Sequence, residues 1–327
     1  MVQTQLAPDP LAPPSAPPHK NMVWIPGGTF AMGAEIPNYP DEGPIHNVTV
    51  SGFWMDKYPV TNKQFNDFVE ATGYVTFAEK APTAEAYPNA DPEMLVAGSA
   101  VFIKPERPVD PRSFCWWHYV PKANWRRPNG LGSSIKGRKH HPVVQIVYED
   151  AVAYAEWAGK ALPTEAEWER AARGGLEGNV FAWGNEIMPD GKPMANIWQG
   201  TFPHQNLKKQ PPGTETVGRY PANGYGLYDM IGNVWEWTED WYQERHPENP
   251  AKSCCTPHNP KGGSEADSLD RKVPLAERKP RKVLKGGSFL CAPNYCARYR
   301  PAARHPETID TSTNHIGFRT IIRPQSA

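Results

Sequence analysis

Apolar and polar positions alternate in two stretches near the start of the chain. In Val23–Met32 and His46–Met55, β-branched and aromatic residues interleave with small or polar ones between turn signals, which predicts two β segments lying as a hairpin or as neighbours. The period then lengthens. Thr61 with Gln64 three residues on forms a capping-box pattern, and Phe65, Phe68 and Val69 follow at helical spacing until Gly73, so a short amphipathic helix is expected. A second helix is expected over 149–158, with Val152, Ala155 and Trp157 facing inward and Gly159 past its end. Thr164 and Glu167 repeat the capping box, Trp168, Ala171 and Ala172 supply a buried side, and Gly174–Gly175 stop a third helix. Beyond it the helical period disappears. Glycine, proline and asparagine punctuate short aromatic runs, which predicts loops and short strands.

Composition adds boundaries to this pattern. Residues 1–21 are rich in proline and offer almost nothing to bury, so they are read as a disordered tail before a single α+β domain over 22–327. Two stretches, 78–113 and 244–281, look like insertions that either shape a groove or lie on the surface. Thirty-five basic residues balance 35 acidic ones, which excludes a polyanion-binding footprint spread over the chain and argues against nucleic acid. No apolar run reaches the roughly 18 residues a membrane helix needs, and no basic-then-apolar leader opens the sequence. A cytoplasmic monomer is therefore expected. Five cysteines, an odd number, do not describe a disulfide framework.

The chemistry concentrates late in the chain. No histidine pair has the spacing that places two rings on one helical face, and there is no C-x2-C, so a standard zinc site is not supported. The segment Lys285-Gly-Gly-Ser-Phe-Leu-Cys291-Ala-Pro-Asn-Tyr-Cys296-Ala-Arg-Tyr-Arg300 sets two cysteines five apart behind a Gly-Gly-Ser turn, with Arg298, Arg300 and Arg304 following. Cationic neighbours favour thiolates. Taken alone, the pair reads as structural thiols or a disulfide, as a redox pair, or as a metal site. For a metal, two sulfurs without nitrogen or oxygen partners suit copper(I).

The segment Lys285–Arg304 resembles the active-site stretch of the formylglycine-generating enzymes, the sulfatase-modifying factors. Trp24–Gly33, Ala161–Glu169, Ala195–Gly200, Asn223–Trp237 and Ile316–Arg319 resemble further signatures of that family in the family's order. The resemblance implies a complex α+β fold related to C-type lectins and low in regular secondary structure. It implies a copper-dependent oxidase that uses O2 to convert the cysteine of a Cys-x-Pro-x-Arg segment in an unfolded sulfatase to Cα-formylglycine. By position, Cys291 and Cys296 would be the copper(I) thiolates, Ser288 a polar neighbour of the reacting sulfur, and Trp235 part of the pocket wall. Arg298, Arg300, Arg304 and His315 stand as candidate substrate-binding residues, with pairing to acids an equal reading for each arginine.

Calcium is the other implied cofactor. Asp229, Gly232, Val234 and Glu236 fall on one calcium site of the family. A second set would use Asn196 and the carbonyl of Ile197, but His204–Gln210 carries lysines where that site's acidic ligand is expected. Cys115, Cys254 and Cys255 are read as bystanders, although Cys255-Thr-Pro-His-Asn259 resembles the substrate motif without its arginine. The alternatives to sulfatase oxidation are a same-fold protein that binds a ligand or partner, and an oxidase acting on a different thiol.

Overall fold

Each of the two N-terminal β segments is broken in two. The computed structural model describes residues 12–247 and 256–324, and in it β1 (Met22–Ile25) and β2 (Gly28–Met32) are separated at Pro26–Gly27. β3 (His46–Val50) and β4 (Phe53–Asp56) are separated at Ser51–Gly52. The two breaks lie against each other: a Cβ on Gly27 would stand 2.7 Å from the Gly52 nitrogen, so the close approach requires glycine. β1 then pairs antiparallel with β4 and β2 antiparallel with β3, the neighbouring arrangement expected from the alternation.

The three predicted helices form. α1 (Asn62–Thr72) starts at a Thr61–Gln64 capping box and ends on a left-handed Gly73. α2 (Tyr148–Trp157) buries Ala151, Tyr154 and Ala155, whereas Trp157 is 44% exposed and lies over Phe68 and Tyr154 at the rim. That corrects the inward placement of Trp157: the buried face is set by 151, 154 and 155, and position 157 falls at its edge. α3 (Glu165–Arg173) carries the Thr164–Glu167 capping box and a left-handed Gly174. It buries charged as well as apolar residues, among them Glu165, Glu169 and Arg173.

The rest is loop and short strand. β5 (Gly98–Phe102), from the first insertion, pairs antiparallel with β6 (Trp117–Pro121). β7 (Trp235–Trp241) and β8 (Arg281–Lys285) pair antiparallel, with the single helical turn α4 (Glu265–Ser268) between them in the chain. β9 (Arg304–Thr308) forms the outer edge beside β8, and β10 (Ile316–Gly317) runs parallel to β7. β11 (Ile321–Ile322) returns to pair with β4. Apolar faces of α1, α2 and α3 meet these sheets in one core around Phe65, Trp125, Trp168, Trp237 and Phe318. The result is a mixed α+β fold with few helices. Residues 1–11 of the expected tail, together with Cys254 and Cys255, lie outside the described residues. No helix among the described residues is long and apolar enough to cross a membrane.

Candidate active site

β8 delivers the chain to the cysteines. After Lys285, Gly286 and Gly287 take φ of 91° and 73°. A Cβ on Gly286 would stand 2.8 Å from the Met230 carbonyl oxygen, and one on Gly287 3.0 Å from that of Arg298, so only glycine makes this turn. Ser288 closes the next turn, its carbonyl accepting from the Cys291 N–H at 3.0 Å and its hydroxyl from the Leu290 N–H at 3.2 Å. A further turn, Tyr295 N–H to the Ala292 carbonyl, folds Cys296 back beside Cys291. The two Sγ atoms are 3.2 Å apart and both thiols are free. That separation is a hydrogen-bond contact, well beyond the roughly 2.05 Å of a disulfide.

The pair holds its protons unequally. Cys291 is buried at 2% exposure and Cys296 is half-buried. Burial pushes the Cys291 thiol up, and its hydrogen bond to Cys296 adds to that. The same bond is the largest influence lowering Cys296, with the Arg298 backbone N–H and the Arg298 and Arg300 charges helping against burial. Of the two thiols, Cys296 is the more readily ionised.

Both sulfurs line a pocket of about 310 Å³ walled by Trp116, Trp117, Phe202, Trp235 and Tyr295, with Ser288 at its base and Ala100 of the first insertion at its side. Tyr295 stacks on Phe202 at 4.3 Å. Trp235 stacks on His305 with centroids 5.6 Å apart, and Trp117 lies against the His315 ring at 4.9 Å. His315 also hydrogen-bonds through Nδ1 to Thr313 Oγ1. Burial lowers His305 to about 3, assisted by the Arg298 and Arg281 charges, and lowers His315 to about 3, so both rings are neutral. Burial raises the Glu307 carboxyl to about 7.

His305 and Glu307 were not picked out from the sequence. They lie two apart on β9, on the face that lines the pocket, whereas Arg304 points to the other side. The His-x-Glu alternation was the available signal, but Pro306 between them reads as a break. β9 tolerates that proline because it is an edge strand.

The three arginines after the cysteines face away from the pocket. Arg298 makes a two-pronged pair with Asp41 at 2.6 and 3.0 Å, Arg300 with Glu42 at 2.6 and 2.8 Å, and Arg304 with Glu165 at 2.8 Å through both prongs. These contacts are the pairing with acids that stood beside substrate contact for each arginine, and they clamp the cysteine loop to the 40–42 turn and to α3. His315, by contrast, lines the pocket.

The residues carried as calcium ligands fall into two neighbouring groups. Asp229 is 8% exposed and accepts a 2.6 Å hydrogen bond from the Gly218 N–H, with Gly232 and Val234 following in the same loop. Burial raises its carboxyl to about 6. Glu236 on β7 accepts from Arg319 at 2.6 and 2.8 Å and from the Trp168 indole at 2.7 Å. Asn196 sits across a β-bridge from Gly232, with Ile197 next to it in the chain. No group of three or more His, Cys, Asp or Glu side chains converges among the described residues.

An aromatic pocket holding two unbonded thiols on a glycine turn, in a loop-rich α+β frame, has the make-up of a thiol-centred oxidoreductase. Residues 9–324 match the sulfatase-modifying factor enzyme 1-like domain, and the chain belongs to that family, the formylglycine-generating enzymes. It is 50% identical over 308 residues to the formylglycine-generating enzyme of Mycobacterium tuberculosis, covering 93% of this chain and 98% of that protein. It is 46% identical over 311 residues to the enzyme of the same name from Thermomonospora curvata, covering 93% and 94%. PvdO from Pseudomonas aeruginosa shares the fold, with a TM-score of 0.60 at 23% identity over 97% of this chain and all of that one.

Proposed function

We propose that this chain oxidises the cysteine of a Cys-x-Pro-x-Arg segment in an unfolded sulfatase to Cα-formylglycine, with O2 as co-substrate and copper(I) held by Cys291 and Cys296. The observation that carries the proposal is the 3.2 Å approach of two free sulfurs on the wall of an open pocket. The activity is named for relatives that align with nearly the whole chain. Two sulfurs without nitrogen or carboxylate partners are a donor set for a soft monovalent ion. When bound, copper(I) would supply the electron transfer that lets O2 react with a thiol.

The chain's own residues do the rest. Cys296 offers the lower-lying thiol, and Cys291 the proton that must leave for both sulfurs to act as thiolates. Trp116, Trp117, Trp235, Phe202 and Tyr295 keep bulk water from the sulfurs and give a peptide side chain an apolar wall. Ser288 fixes the cysteine turn while presenting itself at the pocket base. Beside the two thiols, Glu307 ionises near neutral pH and is able to take up or release a proton in the pocket, whereas His305 and His315 are already neutral.

A calcium ion held by Asp229 and the Gly232 and Val234 carbonyls, with Glu236 shared between it and Arg319, also forms part of the proposal. Burial raises the Asp229 carboxyl to about 6 despite the Gly218 hydrogen bond and the Arg319 charge, and a hard cation would offset that cost. The arrangement suits a monomer in the reducing cytoplasm, where free thiols persist.

The test is to incubate purified, copper-loaded protein with a Cys-x-Pro-x-Arg peptide in air and follow it by mass spectrometry. Loss of the thiol and gain of an aldehyde is the expected result. Unchanged peptide despite bound copper would point to a different thiol substrate, and unchanged peptide without copper uptake to a binding protein.

A further inference from the structure

The residues around Asn196 do not fit a calcium ion, because a positive charge already stands there. Lys208 Nζ donates to Asn196 Oδ1 at 2.5 Å and to Glu215 Oε1 at 2.7 Å. The Lys208 and Glu215 side chains are only 17% and 12% exposed, so this is not a loose surface pair. Asn196 is 1% exposed and cannot turn away, since its Nδ2 donates to the Gly213 carbonyl at 3.0 Å and to Asn233 Oδ1 at 3.1 Å. Glu215 is held as firmly: its second oxygen accepts from Tyr220 at 3.0 Å and lies 3.3 Å from Arg219. Burial works to raise the Glu215 carboxyl, but the Lys208 hydrogen bond and charge, with Tyr220 and Arg219, hold it below the usual range.

We infer that this chain has exchanged the calcium ion that the family resemblance implies at Asn196 and Ile197 for the ammonium of Lys208, a cation attached to the chain. The donor atoms argue for it. Calcium takes six to eight oxygens and generally more than one carboxylate, whereas one amide oxygen and one carboxylate oxygen match an ammonium with three donors. A divalent ion placed between Asn196 and Glu215 would face the Lys208 and Arg219 charges at close range, with one carboxylate to offset them. The attached cation does the structural work of the missing ion. It ties the 204–215 loop to Asn196-Ile197-Trp198, and the Trp198 N–H holds the Cys291 carbonyl at 3.0 Å. Asn233, bonded to Asn196 and Glu215, likewise holds the Phe289 N–H at 3.1 Å.

The experiment counts and locates calcium and does not depend on the proposed oxidation. Chelator-treated protein is titrated with calcium by calorimetry and the ions are counted by mass spectrometry, for the unaltered chain, Asp229→Asn, Asn196→Ala and Lys208→Asp. The unaltered chain should lose its calcium uptake with Asp229→Asn. Lys208→Asp, which sets a second carboxylate beside Glu215, should take up about one ion more per chain than the unaltered chain. Uptake that survives Asp229→Asn and disappears with Asn196→Ala would overturn the inference, as would a folded Lys208→Asp that gains no ion. Crystals of the unaltered protein soaked in calcium decide the matter without any variant. Anomalous density between Asn196 and Glu215 overturns it, and an unbroken Lys208 side chain there with no such density supports it.

Discussion

Cys296 and Cys291 differ in reactivity because one hydrogen bond and unequal burial separate them, and that difference can be read directly. Limited iodoacetamide at neutral pH should label Cys296 before Cys291 in the metal-free protein, as mapped by peptide mass spectrometry. Preferential labelling of Cys291 would reverse the order of ionisation. Cys296→Ala should lower peptide oxidation at least about a hundredfold with copper supplied, since a single sulfur cannot replace the pair. Glu307 gives a pH signature. Its folded value of about 7 exceeds the ordinary 4.5, so the folded state binds the extra proton and stability falls as pH rises between the two. Glu307→Gln should therefore raise the melting temperature at pH 8 more than at pH 5, and thermal scans at the two values check it. The cysteines were legible because their spacing and glycine turn are local. The arginines' commitments were not: Asp41, Glu42 and Glu165 lie more than a hundred residues from Arg298, Arg300 and Arg304, and nothing local announces such a partner.

At the level of elements, α3 shows what capping signals convey and what they omit. Thr164 and Glu167 mark its start, and the structure has both bonds, at 3.2 and 2.7 Å. Thr164→Ala should destabilise the protein by about 1 kcal/mol, measured by urea unfolding. The pattern did not show that its polar residues turn inward. Glu169 meets Lys285 at 3.1 Å and Arg173 at 2.6 Å, and Glu165 meets Lys285 at 3.4 Å and Arg304 at 2.8 Å, all nearly or fully buried. Burial alone would raise both carboxyls, but the surrounding cations bring Glu165 and Glu169 down to about 2. The stability they supply is present in full above the ordinary carboxylate value and is lost as pH falls from there toward 2. Lys285→Met leaves two buried carboxylates short of a partner and should cost about 3 kcal/mol or more at neutral pH, with the loss shrinking in acid. The short strands were less legible than the helices. β10 and β11 have two residues each and exist only through partners far away in the chain.

Across the whole molecule, the last described residues join parts that would otherwise be separate. β10 pairs Ile316 with Trp235 beside the pocket, and β11 pairs Ile321 and Ile322 with β4 in the N-terminal sheet. Between them Arg319, fully buried, reaches Glu236 with both prongs and also bonds the Tyr228 and Asp56 carbonyls. One side chain thus touches β7, the Asp229 loop and the end of β4. The Ile316–Arg319 signature was visible in the sequence, but not its task, since a guanidinium spanning three distant segments has no periodic trace. In calcium-free protein Arg319→Met should leave Glu236 buried without its guanidinium partner and lower stability by about 3–5 kcal/mol. Because the same residue braces both sheets, the loss should appear in all of them at once. Urea curves followed by tryptophan fluorescence and by far-ultraviolet circular dichroism should coincide in the unaltered chain and shift together in the variant. A variant in which one signal moves to lower urea and the other stays would show that the sheets unfold separately and that the C-terminal strands do not unite them.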